Sequence, residues 1–196
     1  MTLPAAGLRQ GAAGAGTIWL SGQSGAGKST LAQGLCRSFD AAGVGHFTLL
    51  DGEEVRQRLP RSFGHSLEDR AEVLRATIAL AQEANRAGRI SIVATISHQV
   101  WMRELARRSL HPFLEVILEC PTAACAARDF KDHYARAFAG EYDCFVGVTH
   151  PYELPDTQDG TRLRVDTERL SAAEVLDRVW PACAALAAFA AGAGQA

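Results

Sequence analysis

The sequence predicts an α/β fold, a three-layer sandwich with a central parallel sheet of about five strands and helices on both faces. Three observations predict it. Short β-branched and apolar runs recur along the chain, and between them lie stretches whose apolar residues return at helical spacing. A glycine-rich turn joins the first run directly to the first helical pattern. Strands that alternate with helices imply parallel pairing, with the sheet covered on both sides.

The elements follow in order. "TIWLS" (Thr17 to Ser21) is a short buried strand. A helix begins near Lys28, carries Leu31, Leu35 and Phe39 on one face and stops before Gly43. "HFTLLD" (His46 to Asp51) reads as a second strand. Ser66, with Asp69 three residues on, starts a long helix marked by Leu67, Leu74, Ile78 and Ala81, and Gly88 suits its end. "RISIVATIS" (Arg89 to Ser97) is a third strand, followed by a short helix with Trp101 and Leu105. "FLEVILE" (Phe113 to Glu119) is a fourth, and Pro121 opens another helix. Residues 130–155 are charged, aromatic and aperiodic, which reads as a lid. "LRVD" (Leu163 to Asp166) is the fifth strand, and Ser171 with Glu174 forms a capping box for the last helix.

A chain of 196 residues, 47% hydrophobic, is long enough for one domain with a sizeable core. That domain is expected at residues 17–190, between Ala/Gly-rich disordered tails at 1–16 and 191–196. A net charge of -2 calls for neither nucleic acid nor an anionic membrane. The apolar runs are short and broken by charges, and the start lacks the features of a signal peptide, so a cytoplasmic protein is expected. The five cysteines are odd in number and none are spaced as CxxC. They read as reduced thiols, mostly in the core, and no metal held by side chains alone is expected.

The turn "GQSGAGKST" carries the chemistry. It fits GxxxxGK[ST] with Gly22, Gly27, Lys28 and Ser29. Glycines let successive backbone N–H groups turn inward as an anion nest, and a helix N-terminus stands behind them. Lys28 can reach the β- and γ-phosphates, and the Ser29 hydroxyl can ligate Mg²⁺. With a strand before it and a helix after it, the motif implies a P-loop NTPase-type fold that binds ATP through Gly22, Gln23, Ser24, Gly25, Ala26, Gly27, Lys28, Ser29 and Thr30. Asp51 ends a strand, where ligands of such sheets bind. It either handles Mg²⁺ or an acceptor hydroxyl, or it begins a turn with Gly52.

From the P-loop "GQSGAGKST" through "LDGEEVR", and over about Trp19 to Asp166 in all, the chain resembles adenylylsulfate (APS) kinases. "SLEDR", "ATIS", "ARDFKDHYARAFAGE" and "GVTHPYELP" follow in a similar order and spacing. The resemblance implies a cytoplasmic kinase of sulfate assimilation that passes the γ-phosphate of Mg-ATP to the 3′-hydroxyl of adenylylsulfate. It implies catalysis by Lys28 and Asp51, and an acceptor site of Asp51, Glu53, Arg56, His65, Arg70, Ile96, Ser97 and Phe145. Arg56 and Arg70 would grip anionic groups, Phe145 would stack on the base, and Arg128 with a lid from Phe130 would cover ATP. A homodimer is also implied.

The departures fall on the acceptor half. The family's DGD is Asp51-Gly52-Glu53, its "GFS" phenylalanine is His65, its "DRxEN" asparagine is Val73, its "FISP" is Thr95-Ile96-Ser97-His98, and its "GEIKNFTG" lysine is Asp143. His65 thus stands where the base's second stacking face is expected, and Asp143 adds negative charge to the lid. "ATIS" and the "VG" of "FVGV" are also similar to cytidine diphosphoramidate kinases, so a cytidine nucleotide stays open as the acceptor. A P-loop module that binds nucleotide without transfer is the third reading.

Overall fold

The computed structural model describes residues 15–129, 132–155 and 160–193. Strands β1 (Thr17–Ser21), β2 (Phe47–Asp51), β3 (Ile90–Thr95), β4 (Phe113–Glu119) and β5 (Arg162–Asp166) form one sheet in the order β2-β3-β1-β4-β5. Every neighbouring pair is parallel. Helices α1 (Lys28–Ala41) and α7 (Ala172–Ala193) pack on one face, with Leu31, Leu35, Phe39, Val179 and Leu186 against Ile18, Leu20 and Val116. Helices α3 (Leu67–Arg86) and α4 (Val100–Ser109) cover the other, where Leu74, Ile78, Met102 and Ala106 meet Trp19, Val93 and Phe113. Trp19 points away from its neighbours Ile18 and Leu20, as the period of two requires, and both faces are dry.

This topology positions the site. The helix after β1 covers one face and the helix after its neighbour β3 covers the other. The loops leaving those strands therefore part, and a crevice opens between them at the carboxyl edge. Three short helices line that edge: α2 (Gly52–Arg58), α5 (Thr122–Ala127) and α6 (His133–Phe138).

The capping signals hold in detail. Ser66 Oγ accepts from Asp69 N–H at 3.1 Å. Ser171 and Glu174 satisfy each other's backbone amides, at 3.3 and 2.8 Å. The limits differ by a few residues. Ala15 is buried and the Gly16 carbonyl accepts from Ser91 N–H at 2.9 Å, so both belong to the fold and not to a tail. The last helix continues to Ala193. Met1 to Gly14, Phe130 at the lid's start and residues 194–196 lie outside the described residues.

Helix α2 was not anticipated, because it is too short to show periodicity and buries only Val55. It forms on local electrostatics. Asp51 caps it, Glu53 and Glu54 occupy its first turn, and Arg56 and Arg58 its last.

One polar cluster interrupts the core. Glu115, on β4 and fully buried, meets Arg103 Nε at 2.9 Å, Arg162 Nε at 2.7 Å and Arg107 Nη2 at 3.4 Å. A buried carboxylate is tolerated only with such partners. Glu115→Ala leaves buried guanidinium groups uncompensated, and we expect it to lower the unfolding free energy by about 3–5 kcal/mol, read from urea denaturation. Glu54→Ala, whose pair with Arg58 is exposed, serves as the control and should cost about 0–1 kcal/mol.

Candidate active site

The turn between β1 and α1 is built from its glycines. Gly25 has φ of 74°, and a Cβ there would stand 2.8 Å from the Cys125 carbonyl oxygen. Gly27 caps α1 with φ of 93° and no side-chain hydrogen bond, so the first amides of α1 have no side-chain partner and face the crevice. Gln23 pins the loop's outer wall: its Oε1 accepts from Thr122 Oγ1 at 3.2 Å and its Nε2 donates to the Cys120 carbonyl at 3.4 Å. Gly22 and Gln23 shape the turn from behind, and the cavity lining begins at Ser24. Thr167 Oγ1 donates to the Ala26 carbonyl at 3.1 Å, and Tyr134 of α6 donates to the Ser24 carbonyl at 2.9 Å.

Lys28 Nζ donates to the Gln23 carbonyl at 2.6 Å. Burial pushes its pKa down to about 8, and the carboxylate of Asp51 offsets that only in part. The ammonium is thus held without a full counter-charge at the mouth of an anion nest. Ser29 Oγ donates to Asp51 Oδ2 at 2.8 Å, while Asp51 Oδ1 accepts from Glu53 N–H at 2.9 Å. Asp51 is both the cap of α2 and a carboxylate aimed at the turn, so its structural and functional readings coexist. The converging hydroxyl and carboxylate are hard oxygen donors that suit Mg²⁺. Among the described residues no group of three or more His, Cys, Asp or Glu gathers to hold an ion, so water and phosphate oxygens would complete its shell.

The second half of the cavity carries the arginines. Arg56 Nη1 donates to the carbonyls of Phe63, at 3.1 Å, and Gly64. Arg70 donates through Nε to the His65 carbonyl at 2.9 Å and through Nη2 to the Cys144 carbonyl at 3.3 Å. Burial first, then the charges of Arg70 and Arg56, push the His65 pKa down to about 4, so its ring is neutral. The ring that runs parallel to Phe145 is Tyr142, at 5.6 Å and 24°. His65 instead meets Tyr142 edge-on at 6.3 Å. Asp143 is exposed and does not line the cavity. Arg128 Nη2 donates to the Thr167 carbonyl at 2.9 Å, which lays its guanidinium along the exit of β5.

One cavity of about 910 Å³ joins these parts. It brings together Ser24 to Thr30, Asp51, Glu53, Arg56, His65, Arg70, Ile96, Ser97, Arg128 and Phe145. Sequence reading missed Tyr142, His98 and the Thr167–Val175 wall. An aromatic three residues from Phe145 in the lid was a usable signal for Tyr142. The Thr167–Val175 wall has no motif and enters only through the position of β5.

The chain is similar to known proteins over most of its length. The adenylylsulphate kinase family model matches residues 14–163. A probable adenylyl-sulfate kinase from Synechocystis is 37% identical over 164 residues, covering 84% of this chain and 90% of the relative. An adenylyl-sulfate kinase from Paraburkholderia xenovorans is 39% identical over 163 residues, covering 83% and 89%. Among solved structures, the Mycobacterium tuberculosis APS kinase in complex with AMPPNP and APS superposes with a TM-score of 0.77 at 34% identity, covering 87% of this chain and 97% of that one. With a P-loop, an Asp-tipped second strand and an arginine-lined second subsite in one crevice, and with this match over most of its length, the chain belongs to the adenylylsulphate kinase family.

Proposed function

We propose that the chain transfers the γ-phosphate of ATP to the 3′-hydroxyl of adenylylsulfate, giving 3′-phosphoadenylylsulfate and ADP. The observation that carries this is the continuity of the cavity: the phosphate nest, Asp51 and the arginine-lined subsite share one space. A donor phosphate and an acceptor hydroxyl can therefore meet away from bulk water. Family membership supplies the acceptor, and the M. tuberculosis relative was solved with APS bound beside an ATP analogue.

The turn amides and Lys28 hold the triphosphate, and Lys28 answers the charge that builds on the transferring group. Ser29 would hold Mg²⁺, with Asp51 near enough to take a water of its shell, and the ion when bound supplies further charge neutralisation at the phosphates. Asp51 Oδ2, released from Ser29, orients the acceptor hydroxyl and takes its proton. Arg56 and Arg70 hold the acceptor's anionic tail, and Phe145 with Tyr142 meets its base. Arg128 lies along the ATP side. Cytoplasmic placement and a homodimer complete the reading. The family membership supports the first, the second rests on the resemblance alone, and no described helix is long and apolar enough to cross a membrane.

The test is an acceptor panel with ATP, Mg²⁺ and purified protein, followed by ADP release. Adenylylsulfate should be turned over. Preference for cytidine diphosphoramidate would give the second reading, which the altered residues around His65 favour, and ATP binding without turnover of either would leave a non-catalytic module. Asp51→Asn should lower kcat by about a hundredfold or more with ATP affinity nearly unchanged, measured by steady-state rates and calorimetry. A collapse of ATP affinity at an unchanged saturated rate would make Asp51 a nucleotide ligand only.

Lys28 gives a pH signature. Its free-state pKa of about 8 should rise when triphosphate fills the nest, because anions favour the ammonium. Above that pH the free protein has lost the proton and binding must recover it. Calorimetry in buffers of different ionisation enthalpy should show little uptake at Lys28 near pH 7, approaching one proton near pH 9, with ATP affinity falling as pH rises.

A further inference from the structure

His98 lines the cavity, is 1% exposed, and neither Nδ1 nor Nε2 has a hydrogen-bond partner. Among the described side-chain atoms that are buried and unpaired, only these two belong to a cavity-lining residue. The backbone around it is fixed. Ser97 is held at φ of 39°, in the left-handed region. The Ser97 carbonyl accepts from Arg103 Nη1 at 2.6 Å, and the His98 carbonyl accepts from Glu153 N–H at 2.8 Å. The ring lies edge-to-face on His150 at 6.3 Å. Glu153, the one acidic group acting on it, commits its carboxylate to Val100 N–H at 2.8 Å. Burial first, then Arg70 and His150, push the His98 pKa down to about 4, so the ring is neutral and carries one donor and one acceptor.

An unpaired buried N–H costs free energy, and a fold that keeps one in the wall of a binding cavity is accounted for if the ligand supplies the partner. Arg70 lines the same cavity as His98, so an anionic group held by that guanidinium comes to the wall the ring belongs to. We propose that His98 is a binding residue of the acceptor subsite, its imidazole N–H donating to an oxygen of the acceptor's anionic tail beside Arg70. The inference rests on the adenylylsulfate reading. A neutral donor adds direction to the grip of the arginines without adding a third buried cation.

The experiment compares the wild type with His98→Leu and His98→Gln in the full chain. His98→Leu should raise the KM for adenylylsulfate by about tenfold or more, as loss of one hydrogen bond to a charged group implies. The KM for ATP should hold. The melting temperature of the free protein should not fall, because leucine removes an unpaired polar group. His98→Gln, which keeps a donor, should recover part of the loss. In wild-type protein carrying 15N-histidine, adenylylsulfate added with a non-hydrolysable ATP analogue should shift the His98 ring nitrogens. Unmoved ring signals at saturation overturn the proposal even if the variants fail to fold. So does an unchanged acceptor KM in His98→Leu, or a parallel loss in both substrates with lowered melting. Where the wild type turns over adenylylsulfate, those outcomes sink this inference alone. A wild type inactive on adenylylsulfate sinks the functional reading and this inference with it.

Discussion

The geometry of the proposed acceptor side depends on one buried ion pair, Arg103 with Glu115. Glu115 sits inside β4 with no access to water, so it must be matched by cations, and Arg103 on α4 is the best placed of them. The guanidinium has donors left over once Glu115 is satisfied. They go to the carbonyls of Ser97 and Glu153, both at 2.6 Å. One planar group therefore ties the core of the sheet to the loop after β3 and to the segment that leaves the lid. A lysine could not do this, because its point charge lacks the fixed fork. The left-handed Ser97 is held by this tie, and the wall of the acceptor subsite follows from it.

The donor side obeys a different constraint. Among the described residues it has no large charged cluster, and its order comes from backbone groups that the turn leaves without helical partners. Gln23, Thr167 and Tyr134 fasten the turn from three elements, β4–α5, β5–α7 and α6. The amides are thereby set before any nucleotide comes, which is what electrostatic preorganisation requires. Lys28 rests on a carbonyl inside the same turn. The two halves thus share a cavity but are stiffened by unrelated means, and Asp51 is where they meet.

Much of this was legible in the chain before its structure. β1 and β4 fell on the expected residues, and Ser66, Gly88 and Ser171 marked helix ends, because local hydrogen bonds decide caps and period-two runs decide buried strands. The P-loop was readable because glycine, lysine and hydroxyl positions are fixed by phosphate geometry. What could not be read depends on distant contacts. α2 has too few residues to show a period, and its cap Asp51 looked equally like a turn. Tyr142 rather than His65 lies parallel to Phe145, a choice made by how the lid folds back and invisible in spacing. His98 read only as a departure from a family pattern. Its burial and unpaired nitrogens belong to the packing of Ser97, Glu153 and His150 around it.

The parallel sheet also divides the molecule's two edges by what they tolerate. The loops that build the crevice leave the carboxyl ends of the strands. The amino-end turns, at Gly43, Gly45 and Gly88, look into open space, with nothing within 4 Å of where a Cβ would stand. Gly43 and Gly88 keep positive φ for their turns, yet no neighbour presses on them. Insertions there meet no wall and disturb no nest, since loop length alone costs little. These turns therefore have room to lengthen or take up charge, while a single added methyl at Gly25 would collide with the Cys125 carbonyl beneath the nest. One sheet thus carries turns with room to spare and a phosphate-binding turn with none.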